Sequence, residues 1–310
     1  MSGTLRRRVA LALAYGVVAI TASTALAAET AGKIAATVEP WNPPRIASAQ
    51  FESHPAFDPR NGDLYFVRSR PDFTGWRIYM SHCGADGWSE PVEPPFAGDG
   101  VEADPWFTPD GRSLYFISSR SPDGKPPATG AKRKDLDLWR VDRDAEGHWD
   151  RPQRLPEPVN SPGAEWFPRP APDGWLYFGS TNRPGGLGMT DIWRARQDKR
   201  GHWTVENAGP HLNTAGDEYE PLVSADGQRM VLMASDGLYE SKRTAKGWSP
   251  RVKLGPDIDV NGSEIGALLS PDGHSMLFAR DLKGEQSGEL FLWRDGHGDR
   301  NWPPRCPKSG

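Results

Sequence analysis

Five glutamates stand at equivalent places in a repeated pattern along this chain: Glu52, Glu102, Glu165, Glu218 and Glu264. Gathered around an opening, such carboxylates can hold a cation or the basic end of a peptide. Two of them, about 5–10 Å apart with one protonated and one ionised, can instead hydrolyse a glycosidic bond. Arginines recur as well, with Arg70, Arg120 and Arg183 each 18 residues after their glutamate. Pairing with these arginines is the expected fate of the acids, because an unpaired buried carboxylate is costly. All five acids share one local sequence, which works against the unlike pair that hydrolysis needs. The eight residues are therefore candidates for a binding site at a channel mouth, with no catalytic residue assigned and glycoside hydrolysis by paired glutamates as the alternative.

Other chemistry has less to stand on. There is no GxSxG nucleophile motif; GRSLY (111–115) and GHSML (273–277) fail at the final glycine. The histidines His54, His82, His148, His202, His211, His274 and His297 form no metal-ligand spacing. DIDVNGSE (257–264) begins like a calcium loop, but its twelfth position is Leu268, so it reads as a connection. No metal and no cofactor is expected.

The elements that must position the acids follow from the repeat. Three residues after each glutamate comes Pro55, Pro105, Pro168, Pro221 or Ala267. Next come the turns DPRNG (58–62), TPDG (108–111), APDG (171–174), SADG (224–227) and SPDG (270–273), then the apolar triplets LYF (64–66, 114–116 and 176–178), MVL (230–232) and MLF (276–278). Pro presets φ, while Asp and Gly accept the bridge and left-handed regions, so these segments are hairpin turns between strands. An apolar triplet suits a strand buried on both faces. Third strands are marked by RIYMS (77–81), DLWRV (137–141), DIWRA (191–195), GLYES (237–241) and LFLWR (290–294). Fourth strands follow glycine-containing turns that end at Trp88, Trp149, Trp203, Trp248 and Trp302. No segment after position 30 carries a helical apolar period. The chain is thus read as all-β, a β-propeller of four-stranded antiparallel blades, five in number.

Residues 1–27 read as a secretory signal peptide: LRRR (5–8), an apolar run, and the A-x-A site Ala25-Leu26-Ala27, with cleavage after Ala27 and export to the periplasm or medium. Loss of Arg6, Arg7 and Arg8 with no acid takes the formal charge from −4 to −7. That balance argues against nucleic acid or an anionic membrane as partner. With no cysteine near the cleavage site, no lipid anchor is expected, and the product is read as a free monomer. The 28–50 segment, with Trp41, Pro43, Pro44 and Ile46, reads as an outer strand donated to the last blade; the Trp302 segment competes for that slot. The propeller domain spans 51–310. The insertion at 121–135, basic at Lys132-Arg133-Lys134, and RPGGLGMTD (183–191) read as loops, the first able to touch an acidic partner. Cys83 and Cys306, in an exported chain whose first and last units are neighbours, are expected to form a disulfide across the seam.

The pattern ExxP, SPDG, LYF, SxR, DIW and GxW resembles the WD-repeat-like propellers of exported bacterial proteins, the TolB-like repeats. EWFPRPAPDGWLYFGSTNRPGGLGMTDIW (165–193) carries it most fully. The resemblance implies a scaffold in the cell envelope that binds a protein or peptide, and in its TolB form a ring of six blades. The fourth unit departs from it, with Ser235-Asp236 where the SxR arginine stands, and the fifth has Arg280 closer to its triplet.

Overall fold

The computed structural model describes residues 36–121, 136–256, 258–260, 264–280 and 288–306. The 1–27 leader, most of the 121–135 insertion with its basic run, and much of the 257–264 connection lie outside them. Five antiparallel sheets are arranged as a five-bladed propeller, and no helix occurs among the described residues. Innermost strands are Phe51–Phe57, Glu102–Phe107, Glu165–Pro170, Glu218–Val223 and Glu264–Leu269. Each pairs with a second strand built on its triplet: Leu64–Ser69, Ser113–Ser118, Leu176–Thr181, Arg229–Ala234 or Ser275–Arg280. Third strands follow at Arg77–Ser81, Asp137–Asp142, Thr190–Gln197, Gly237–Thr244 and Glu289–Arg294.

All fifteen triplet residues are buried, as a strand enclosed on both faces requires. Their rings lock neighbouring blades together. Trp149 of the second blade donates its indole N–H to the Tyr65 hydroxyl of the first at 3.2 Å, and Trp248 of the fourth donates to Tyr177 of the third at 3.2 Å. A buried indole N–H or phenol without a partner would cost about 1–3 kcal/mol.

The outer strands vary, and proline explains how. After Trp203 no proline follows before Pro210, and Trp203–Asn207 runs on as a five-residue strand. After Trp88, Trp149 and Trp248 come Pro91, Pro152 and Pro250, each of which removes a ladder donor. In those blades the outer strand shrinks to the Met80–Val92 bridge, Gln153–Arg154 and Val252–Lys253. In the fifth blade Trp302 is followed by Pro303 and Pro304, and the outer position belongs to Thr37–Pro40, paired antiparallel with Glu289–Arg294. Trp41 extends the pairing, its amide donating to the Leu290 carbonyl at 2.7 Å. Trp302 is buried instead against Leu277, Leu292 and Trp41.

The seam between the first and fifth blades is thus tied by the N-terminal strand. A second tie is the Cys83–Cys306 disulfide, with Cα atoms 5.3 Å apart and 223 residues of separation. Gly288 is a third: its carbonyl accepts from the Glu52 amide at 3.0 Å, and a Cβ there would lie 2.4 Å from the Phe51 ring. A cross-link closing so long a loop removes about 5 kcal/mol of unfolded-state entropy in the chain-entropy description. Cys306→Ser is accordingly expected to lower the unfolding free energy by an amount of that order, read from the urea midpoint with its slope. An unchanged midpoint would mean that the strand and Gly288 close the ring unaided.

Candidate functional site

The innermost strands begin at the end of the ring where the second strands finish, so the glutamates and the loops joining second to third strands share one face. Each glutamate is buried and engaged within its own blade. Glu52 accepts from Arg68 at 2.8 Å, Glu264 from Arg280 at 2.8 Å and Glu165 from Arg183 at 3.2 Å. Arg120 binds Glu102 in a short charge-assisted contact, and Arg251 reaches Glu218 at 2.8 Å. The carboxylates also tie down the preceding loop, accepting backbone amides four residues earlier from Ser48, Gly98, Ser161, Thr214 and Val260. Desolvation raises the carboxyl pKa of Glu52, Glu102 and Glu165 above the ordinary value, opposed by these bonds.

Of the arginines expected to serve, Arg120 and Arg183 do. Arg70 does not reach Glu52; it is exposed and donates to the Thr74 hydroxyl at 2.6 Å. Strand register is the reason, since Arg68 lies directly opposite Glu52. In the fourth blade Ala234 is opposite Glu218, and the cation comes from beside the outer strand.

The residues that meet at the ring's centre are others. In every innermost strand the register shifts just after the glutamate, between Ser53 and Ala56, Ala103 and Trp106, Trp166 and Arg169, Tyr219 and Leu222, and Ile265 and Leu268. At these bulges the residue two after the glutamate is left-handed, with φ of 51° at His54, 57° at Asp104, 52° at Phe167, 54° at Glu220 and 68° at Gly266. For a residue with a side chain this costs about 1–2 kcal/mol and persists because its surroundings impose it. The five contact one another across the ring. His54 Nε2 lies 3.3 Å from Asp104 Oδ1, and the His54 ring stacks on Phe167 with centroids 5.5 Å apart. The Phe167 amide donates to Asp104 Oδ2 at 2.9 Å, and the Ala267 amide donates to Glu220 Oε1 at 2.5 Å. At Gly266 a Cβ would come within 2.5 Å of the His54 amide nitrogen, so only glycine fits.

Arg169, two residues beyond Phe167, is buried with its guanidinium 4.4 Å from the Trp106 ring centroid. Burial lowers its pKa, while Asp104 and Glu220 support its charge. Desolvation pushes Glu220 up to about 8 against the pull of Arg169, and desolvation lowers His54 to about 3, so near neutral pH His54 is uncharged.

Above this cluster lies a cavity of about 300 Å³. Its walls come largely from the residue after four of the five glutamates, Ala103, Trp166, Tyr219 and Ile265, with Phe73 and Trp76 from the second-to-third-strand loop of the first blade. His54, Asp104 and Phe167 line it from the centre, and Thr181, Thr190 and Asp217 complete it on the third- and fourth-blade side. Phe73, Trp166, Asp217 and Tyr219 are partly exposed, so the cavity opens at the mouth. The rings form a corner: Trp76 and Trp166 meet at 72° with centroids 6.1 Å apart, and Phe73 meets Trp76 at 54° and 5.3 Å. Among the described residues, no His, Cys, Asp and Glu cluster is arranged to hold a metal ion.

A search for constant positions finds the glutamates and passes over the two residues after them. The available signal was their inconstancy, since His, Asp, Phe, Glu and Gly alternate inside an otherwise fixed frame.

No protein-family model matches the chain, and no curated protein matches it. Among solved structures it is similar to TolB from Acinetobacter baumannii, 16% identical over 82% of this chain and 57% of that one, with a TM-score of 0.47. A gluconolactonase from Xanthomonas campestris is 13% identical over 84% and 97%, TM-score 0.45, and a periplasmic gluconolactonase from Pseudomonas aeruginosa is 14% identical over 74% and 78%, TM-score 0.43. The chain spans little more than half the length of the TolB chain.

The central cluster has a signature in pH. With its pKa raised from 4.5 to about 8, Glu220 keeps a proton that the unfolded chain releases above 4.5, so stability falls as pH rises through that interval. With its pKa lowered from 6.5 to about 3, His54 refuses a proton that the unfolded chain takes up below 6.5, so stability falls as pH drops through that interval. The two slopes oppose between 4.5 and 6.5, which leaves a plateau there. Thermal melting is expected to decline between pH 6.5 and 8 in the wild type and to stay level over that interval in Glu220→Gln; equal declines would contradict the assignment.

Proposed function

We propose that the protein is an exported propeller that binds a polypeptide of the cell envelope at the aromatic-lined mouth of its ring and performs no chemistry on it. The observation that carries this reading is the mouth cavity itself, an apolar recess with a few polar groups at its base, the form a preformed binding site takes. Leu187 and Met189, 51% and 59% exposed, stand beside it on the loop preceding Thr190 and extend the apolar surface available to a partner. A disulfide between Cys83 and Cys306 fits an oxidising compartment.

The alternative, a carbohydrate-active propeller using two repeat glutamates, requires free carboxyls in an open pocket. Glu52, Glu102, Glu165, Glu218 and Glu264 are buried and each engaged by an arginine, and none lines the cavity. That geometry favours binding over hydrolysis.

A photo-crosslinking residue placed at Leu187 is expected to capture one envelope polypeptide in cells, while the same residue at Lys199, on the hairpin at the opposite end of the third blade, captures none. Equal capture at both positions, or none at Leu187, would remove the mouth from the account.

A further inference from the structure

We propose that Met189 is a modification site: a peroxide oxidises its thioether to the sulfoxide, and the sulfoxide weakens docking of a polypeptide at the mouth. The docking half rests on the reading of the mouth as a binding site and adds its regulation.

Six methionines occur in the chain. Met80, Met230, Met233 and Met276 are buried, and Met1 lies in the leader, outside the described residues. Met189 alone among the described methionines is exposed, at 59%. Reaction with a peroxide follows access to the sulfur, and a thiol is the usual competitor. Both cysteines are held in the Cys83–Cys306 disulfide, so no thiol of the chain intercepts the oxidant. In the reaction a sulfur lone pair attacks the outer peroxide oxygen, the O–O bond breaks and an S–O bond forms. Sulfur gives up two electrons, and the proton of the attacked oxygen passes to the oxygen that leaves as water or an alcohol.

The backbone around Met189 keeps that side chain outside. The buried Asp191 accepts the amides of Leu187 at 2.5 Å and Gly188 at 3.1 Å. Asp217, beside Glu218, accepts the Thr190 amide at 2.9 Å, and the Asn182 amide donates to the Met189 carbonyl at 2.7 Å. A Cβ at Gly188 would overlap the Gly216 carbonyl oxygen, so the loop already rests on its neighbour with no room to turn inward.

Oxidation therefore changes the surface and spares the core. An unbranched thioether is apolar and adaptable, as docking surfaces favour, whereas a sulfoxide is polar and must be desolvated on entering a dry interface. Met189 adjoins Thr190 of the cavity wall and shares its loop with the exposed Leu187, so the change of polarity falls where a partner would be seated.

The full chain is treated with hydrogen peroxide while folded, and its peptides are mapped by mass spectrometry. Met189 should gain one oxygen atom on the order of ten-fold or more faster than Met80, Met230, Met233 and Met276, with the melting temperature unchanged. The chain carrying the photo-crosslinking residue at Leu187, oxidised in the same way and added to envelope extract, should capture its polypeptide about ten-fold less than the untreated chain, as expected when one apolar contact becomes polar. Met189→Leu, which keeps the apolar bulk and has no sulfur to oxidise, should retain capture after the same treatment, and Met189→Gln should lose it without treatment.

Equal oxidation of the buried methionines, capture undiminished by oxidation, or an equal loss in Met189→Leu would overturn the proposal and leave the binding reading in place. No capture before treatment would overturn the binding reading and the regulation that rests on it.

Discussion

The fold depends first on a buried carboxylate held by an arginine at the start of each innermost strand. A buried ion pair adds little net stability over an apolar pair of similar shape, because desolvation consumes most of the attraction. What it supplies here is position. One carboxylate accepts the arginine of its own blade and the amide of the loop arriving from the blade before, so the crossing between blades and the entry into the next sheet are set together. Repeating that joint is what lets sheets of similar sequence close into a ring.

Closure places a demand that the repeat alone does not meet. Five strands converge on one centre, and there the strands bulge into left-handed residues whose identities differ from blade to blade. The fifth blade approaches the first closely enough that glycine alone fits at 266, while the other four blades fill the space with a histidine, two acids and an aromatic ring whose bonds run between blades. In four of the five blades the residue after the glutamate, Ala103, Trp166, Tyr219 or Ile265, lines the cavity wall. Fixed positions therefore build the ring, and variable positions beside them line the cavity.

This division explains what could be read from the residues alone. The triplets, the turns and the spacing from glutamate to triplet carry the blade, since each reflects a local rule of burial or turn chemistry. The disulfide could be anticipated because a ring makes the first and last units neighbours. Arg68 could not be separated from Arg70 by spacing, because only strand register shows which of the two faces Glu52. Arg251 was hidden for a related reason, lying beyond the repeat's arginine position and reaching Glu218 from the outer strand. The central cluster was least legible, because bulges are set where strands meet at the axis and His54, Asp104, Arg169 and Glu220 lie far apart along the chain.

Whether the repeat glutamates build the ring or serve a ligand can be tested at Glu165. Its carboxylate meets Ser161, Ser180 and Arg183 and does not line the cavity. Glu165→Gln leaves Arg183 without its counter-charge, a loss of about 3 kcal/mol for a broken buried pair. Urea unfolding of that variant, measured together with crosslinking at Leu187, should show a stability loss of that order with capture at the mouth retained. Unchanged stability with capture abolished would contradict the account and return the glutamates to the role of a functional ring.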